Sequence, residues 1–141
     1  MSNMEPLVAI GVLAYNRPEG LGNTLKALCN QSYNNLEIHV SDDCSPNPQV
    51  NEVIQEYCSK DTRVIGYKQT QNLGIIKNHQ FLLSKISTDT PYMMWACDDD
   101  NWHPDYIQVC VEALEKHPEA VLCITKNLWI LKGELSQINH S

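Results

Sequence analysis

The 141-residue chain is short of positive charge. Ten Lys and Arg stand against 17 Asp and Glu, a net charge of −7, so there is no basic surplus to neutralise a polyanion and nucleic acid is argued against as a partner. No stretch approaches the ~20 apolar residues of a membrane span. The opening MSNMEPLVAIGVLAYNR lacks the basic lead and long apolar run of a secretion signal, and a cytoplasmic location is expected. Six cysteines occur at 29, 44, 58, 97, 110 and 123, but there is no CxxC pair and no histidine beside them at zinc spacing. Cys58, Cys110 and Cys123 fall on apolar faces, which suggests free thiols in a reducing compartment. There is no internal repeat. The length suits one domain, and a hydrophobic fraction of 43% with 19% charged residues is that of an ordinary globular chain.

What is present is an alternation of apolar runs and amphipathic stretches. Leu7 to Leu13, Leu36 to Val40, Arg63 to Tyr67, Tyr92 to Ala96 and Ala120 to Thr125 read as strands, with Leu128 to Leu131 as one more edge strand. Between them, helical spacing appears from Pro18 to about Asn30, across Val50 to Cys58, after Gly74 through Ile86, and from Ile107 to Leu114, each with an apolar stripe. Strands alternating with helices predict an α/β fold: a mostly parallel sheet covered on both faces and joined by right-handed crossovers. Ligands bind such sheets at the carboxyl ends of the strands. Three polar clusters fall there: Tyr15 to Arg17, Asp42-Asp43, and Asp98 to Asp100.

The last cluster, in PYMMWACDDDNWHPD, is the most informative. If Cys97 to Asp100 stay extended, alternation puts Asp98 and Asp100 on one side and Asp99 on the other. Two carboxylates on one side can bind Mg²⁺ or Mn²⁺ and leave coordination positions open to a diphosphate. The competing account makes Asp98 and Asp99 solvated turn residues, with Asp100 or Asn101 starting the next helix.

The order AYNRP after the first strand, NLEIHVSDDCS on the second, NLGI before the third helix and CDDDNWHPD after the fourth resembles the nucleotide-sugar-binding half of inverting family 2 glycosyltransferases. The resemblance runs from about Pro6 to Asn127. It implies a Rossmann-like three-layer α/β/α sandwich of GT-A type, truncated before the acceptor-binding half, with residues 1–127 forming the half-domain and 128–141 a partial strand and polar tail. By that resemblance Ala14, Tyr15 and Arg17 pack on the base or reach phosphate, Tyr15 being alternatively a core-edge aromatic. Asp42 or Asp43 accepts from a base imide N–H, or else caps a turn. Asn72 and Gly74 bring backbone close to the ligand. Asp98 and Asp99 belong with the nucleotide-binding residues, and Asp98 and Asp100 form the metal clamp for Mg²⁺ or Mn²⁺. Where the family has an arginine and an asparagine in the third helix this chain has His79 and Gln80, with Lys77 as the nearest basic substitute. His79 reads as a polar helix residue, and His103 as packing at a helix start.

The resemblance further implies a transferase that moves a sugar, UDP-linked by family likeness, to a carbohydrate or lipid-linked acceptor in polysaccharide biosynthesis. The full enzyme could associate peripherally with a membrane. Nothing after Thr125 matches the family's acceptor half, so the general base is expected outside this chain, and the piece alone is expected to be inactive. The alternative is a noncatalytic nucleotide-binding or scaffold module docked on a partner. A phosphoacceptor receiver or an aspartate-nucleophile phosphatase fits poorly, because the first strand ends in Ala-Tyr-Asn-Arg and not in an aspartate.

Overall fold

The computed structural model describes residues 4–125 and the backbone of 128–131 and 134–137. Its elements follow the expected alternation: β1 (Val8–Ala14), α1 (Pro18–Cys29), β2 (Leu36–Asp42), α2 (Gln49–Lys60), β3 (Val64–Lys68), α3 (Ile75–Lys85), β4 (Tyr92–Cys97) and α4 (Tyr106–Lys116). The four strands form one parallel sheet in the order β3-β2-β1-β4. β1 lies inside, paired along its length with β2 (Ile10 opposite Ile38) and with β4 (Ile10 opposite Met94). The chain therefore steps outward from β1 to β3 and then crosses back over both to place β4 on the far side of β1. The reversal makes the carboxyl end of β1 a topological switch point, where α/β sheets open a crevice.

Alternation along β1 divides the core. Val8, Ile10, Val12 and Ala14 point to a buried cluster with Leu21, Leu25 and Leu28 of α1, Val50 and Ile54 of α2, and Ile107 and Val111 of α4. The opposite face takes α3, whose Leu82 is fully buried. That face is more polar. His39 contacts the Tyr67 hydroxyl at 3.0 Å and the Glu37 carboxylate at 2.6 Å, and Tyr67 meets Phe81 edge-on at 5.3 Å. At the other end of the sheet, Arg63 donates to the Cys29 carbonyl at the end of α1 (3.0 Å) and to Asp61 (2.7 Å), which satisfies a helix carbonyl that has no partner of its own.

The expected strand at Ala120 to Thr125 is not formed. The segment is irregular, and Val121, Leu122 and Ile124 are 99, 73 and 74% exposed. An apolar run becomes a strand only where a neighbour takes its backbone groups, and no strand pairs with this one. Leu128–Leu131 (β5) is a strand as expected, paired antiparallel with Glu134–Gln137 (β6), which was not expected. Residues 126–127, 132–133 and 138–141 lie outside the described ones, as do the side chains of the tail, and with them the expected boundary at 127 and the polar end. All six cysteines are free and half-buried, none of them sealed in the core. No helix among the described residues is long and apolar enough to cross a membrane.

Candidate active site

Four segments meet over the carboxyl end of the sheet, those that follow β1, β2, β3 and β4. β1 ends in Ala14, and Asn16 then adopts a left-handed conformation (φ 57°) that asparagine tolerates better than most residues. The turn aims the Tyr15 N–H at the Asp98 carboxylate (2.9 Å). The Asn16 N–H donates to the Ser45 hydroxyl at 2.8 Å, joining this loop to the one after β2. Arg17, at the start of α1, lies 2.9 Å from the Asp99 carboxylate and 3.8 Å from that of Asp98. The loop before α3 is tied in from the other side. Both carboxylate oxygens of Asp43 accept backbone N–H groups, from Leu73 at 2.6 Å and Gly74 at 3.1 Å, and the Asn72 amide donates to the Asp43 carbonyl at 3.2 Å. Gly74 has φ 81°, a conformation that a Cβ disfavours.

These loops enclose a cavity of about 470 Å³. Of the residues expected at the site, Ala14, Tyr15 and Arg17 line it from β1, Asp43 from β2, Asn72 and Gly74 from the third loop, and Asp98 and Asp99 from β4. Asp42, Lys77 and Asp100 do not. Asp42 is buried, and one of its oxygens accepts both the backbone N–H (2.9 Å) and the hydroxyl (2.5 Å) of Ser45, the turn-capping alternative. Lys77 sits on the exposed face of α3.

The aspartate triplet departs from the extended geometry assumed for it. Asp98 and Asp99 form a turn closed by the Asp100 N–H donating to the Cys97 carbonyl (3.2 Å), and the Asp100 carboxylate folds back to accept the Cys97 N–H at 2.7 Å. Thr24 of α1 secures the turn: its buried hydroxyl donates to the Asp100 carbonyl at 2.8 Å and lies 3.1 Å from that of Cys97. The pair facing the cavity is thus Asp98 and Asp99, in place of Asp98 and Asp100. Burial pushes the Asp98 carboxyl above its usual range, and the Tyr15 N–H and Arg17 only partly offset this. The same burial, with the three aspartates beside it, raises the Cys97 thiol. No cluster of three or more His, Cys, Asp or Glu side chains stands ready for a metal among the described residues. Two carboxylates with room for ligand oxygens are nonetheless a donor set suited to a hard divalent cation.

His79 packs edge-on against Trp95 at 4.6 Å, with Nδ1 2.7 Å from the Ile75 carbonyl, and His103 braces the start of α4 through Asp105. Neither lines the cavity. Four lining residues were not anticipated, Leu13, Ile75, Asn78 and Cys97, and Asn78 is the polar amide among them. Asn78 is buried on α3, and its Oδ1 accepts the Ser41 hydroxyl at 2.6 Å. Its position one turn beyond Gly74 and one turn before the core residue Leu82 was the available signal.

A parallel α/β sheet with a loop-built cavity at its switch point defines an open α/β protein whose ligand crevice lies at the carboxyl ends of its strands. Residues 9–130 match glycosyl transferase family 2, and the chain belongs to that family. An uncharacterized glycosyltransferase of Haemophilus influenzae is 31% identical over 112 residues, 79% of this chain and 34% of that protein. Among solved structures, TarS 1-349 of S. aureus in complex with UDP superposes with a TM-score of 0.71 at 18% identity, over 79% of this chain and 33% of that one. The mannosyltransferase PcManGT from Pyrobaculum calidifontis, in complex with GDP-Man and Mn2+, gives a TM-score of 0.71, 18% identity and the same coverages. The fold is of GT-A type. The chain spans about a third of the length of each of these three proteins.

Proposed function

We propose that the chain is the donor-binding half of an inverting glycosyltransferase that uses a nucleoside diphosphate sugar, UDP-linked, in cytoplasmic polysaccharide biosynthesis. The observation that carries this reading is the convergence of four strand-end segments on one cavity that sets Asp98 and Asp99 beside Arg17. The neighbours' complexes with UDP, and with GDP-Man and Mn2+, support it. Tyr15, 47% exposed at the cavity edge, offers its ring to the base, and Arg17 is placed to turn from the aspartates to phosphate oxygens. Asp43 holds the 73–74 backbone against the ligand and keeps lone pairs for an imide N–H. Asp98 and Asp99 would hold Mg²⁺ or Mn²⁺. A bound ion there would neutralise charge on the diphosphate as it leaves.

In the complete enzyme a carbohydrate or lipid-linked hydroxyl attacks the anomeric carbon opposite the diphosphate, while a carboxylate from outside this chain takes its proton. Within the cavity, Asp98 and Asp99 are taken up by the cation and Asp43 by the 73–74 backbone and the base, so none is left for that task. The piece alone therefore binds donor without appreciable transfer. The same engagement favours, as a second reading, a noncatalytic nucleotide-binding module, which a transfer assay on a longer polypeptide separates.

Calorimetric titration with UDP tests the donor site. Binding is expected with Mn²⁺, is lost with excess chelator and in the Asp98→Ala, Asp99→Ala double variant, and survives Asp100→Asn, which keeps an oxygen for the Cys97 N–H. Metal-dependent binding abolished by a folded Asp100→Asn variant would instead restore the Asp98 and Asp100 pair.

A further inference from the structure

The polar relay under the cavity floor fixes the direction of one amide. Gln69 Nε2 donates to the Ser41 Oγ at 3.1 Å, and the Ser41 hydroxyl donates onward to Asn78 Oδ1 at 2.6 Å. With its oxygen so engaged, Asn78 presents its Nδ2 hydrogens elsewhere, and they meet no partner among the described residues. Asn78 is only 2% exposed. An amide donor in such a place is poorly served unless something that enters the cavity accepts from it. The Nδ2 atom is not sealed off, since the side-chain polar atom that is both fully buried and unpartnered among the described residues is Trp102 Nε1. It opens to the cavity that Asn78 lines.

Across one residue of the same loop stands an acceptor. The Asn78 N–H donates to the Gly74 carbonyl at 2.9 Å, and the Gly74 N–H to the Asp43 carboxylate at 3.1 Å. The cavity thus carries a fixed donor and a fixed acceptor on adjoining supports. Resting on the donor-site reading above, we propose that Asn78 is a specificity-determining residue for the base: its Nδ2–H donates to a ring carbonyl whose neighbouring ring N–H is accepted by Asp43. The complement is a base edge with C=O beside N–H, as in uracil or guanine. Cytosine and adenine carry a bare ring nitrogen and an amino group there, which would face the wrong partners and leave both protein groups unpaired.

Four nucleoside diphosphates, titrated in the presence of Mn²⁺ into wild type, Asn78→Ala and the near-isosteric Asn78→Asp, test this. Wild type is expected to bind UDP or GDP about tenfold or more tightly than CDP and ADP, the UDP and GDP arms showing which ring the pocket admits. Asn78→Ala is expected to weaken the preferred nucleotide by about 3- to 10-fold and to change CDP and ADP little, so that selectivity collapses while binding persists. Asn78→Asp, with an acceptor in place of the donor, should weaken it further. The proposal is overturned if wild type does not discriminate, which requires no variant to fold. It is also overturned if the variants weaken all four nucleotides equally, as a structural role would, or leave selectivity intact. Folded wild type that binds none of the four overturns the donor-site reading itself, and this proposal with it.

Discussion

Replacing Gly20 by alanine should damage the site from the far side of the sheet's end. Gly20 lies in the first turn of α1, and a Cβ there would sit 2.2 Å from the backbone carbonyl oxygen of Asp98. Such contacts are not found below about 3 Å, and the obstacle is main chain, so helix and turn must separate by most of an ångström. Overpacking of this kind costs about 1–3 kcal/mol, offset by up to about 1 kcal/mol of improved helix propensity, for a net loss of about 1–2 kcal/mol. Gly22 is the internal control. It lies in the same helix, its added Cβ would meet nothing nearer than a Val53 methyl at 3.9 Å, and alanine there should stabilise by about 0.5–1 kcal/mol. At roughly 3–5 °C per kcal/mol for a chain of this size, the two variants should melt about 5–15 °C apart by circular dichroism. Only Gly20→Ala should also weaken UDP binding, because it displaces the turn that carries Asp98 and Asp99. A Gly20→Ala variant that melts at or above Gly22→Ala would refute the close approach of α1 to the aspartate turn.

Two further predictions concern pH. Burial raises the folded-state pKa of Asp98 above its ordinary 3.8, so the fold favours its protonated form and loses stability as pH climbs from the ordinary value through the raised one. Asp98→Asn should therefore raise the urea midpoint at pH 7 while cutting Mn²⁺-dependent UDP binding at least about tenfold; a variant less stable than wild type contradicts this. Asp61 is the opposite case. Hydrogen bonds from Arg63 hold it down at about 2, and the stability it contributes, about 2 kcal/mol or somewhat less, is present above pH 4 and lost as pH falls from about 4 to 2. Asp61→Asn should cost about 1–2 kcal/mol at pH 7 in urea unfolding, with the gap from wild type closing by about pH 2; a gap independent of pH would remove the ion pair from the account.

β1 was legible because it is buried along its whole length and reads as an unbroken apolar run, Val8 to Ala14, whereas the partly exposed edge strands β3 and β4 showed only as shorter apolar runs between helical stretches. The same signal misled at Ala120 to Thr125, where Val121, Leu122 and Ile124 have a strand's apolarity but no neighbouring backbone to pair with. At the site, composition and order identified the four segments, yet periodicity misassigned the orientation of the aspartates. Asp100 folds back onto the Cys97 N–H in a turn that the Thr24 hydroxyl, 76 residues from Asp100 in sequence, secures through backbone carbonyls, and a contact of that separation leaves no local trace. Asp42 and Asp43 are adjacent and alike, so sequence could not say which faces the cavity; the Ser45 turn takes one and the 73–74 backbone the other. Asn78 escaped notice because a polar residue in an apolar helical stripe reads as a flaw in the stripe.

The donors that position the acids are largely main-chain: Tyr15 N–H for Asp98, Leu73 and Gly74 N–H for Asp43, Cys97 N–H for Asp100. Any residue but proline supplies such a donor. Positions 15 and 73 are thus free to be randomised in a library without unseating the carboxylates, and the rim of this cavity separates the residues that hold the chemistry in place from those that can be varied to change what it accepts.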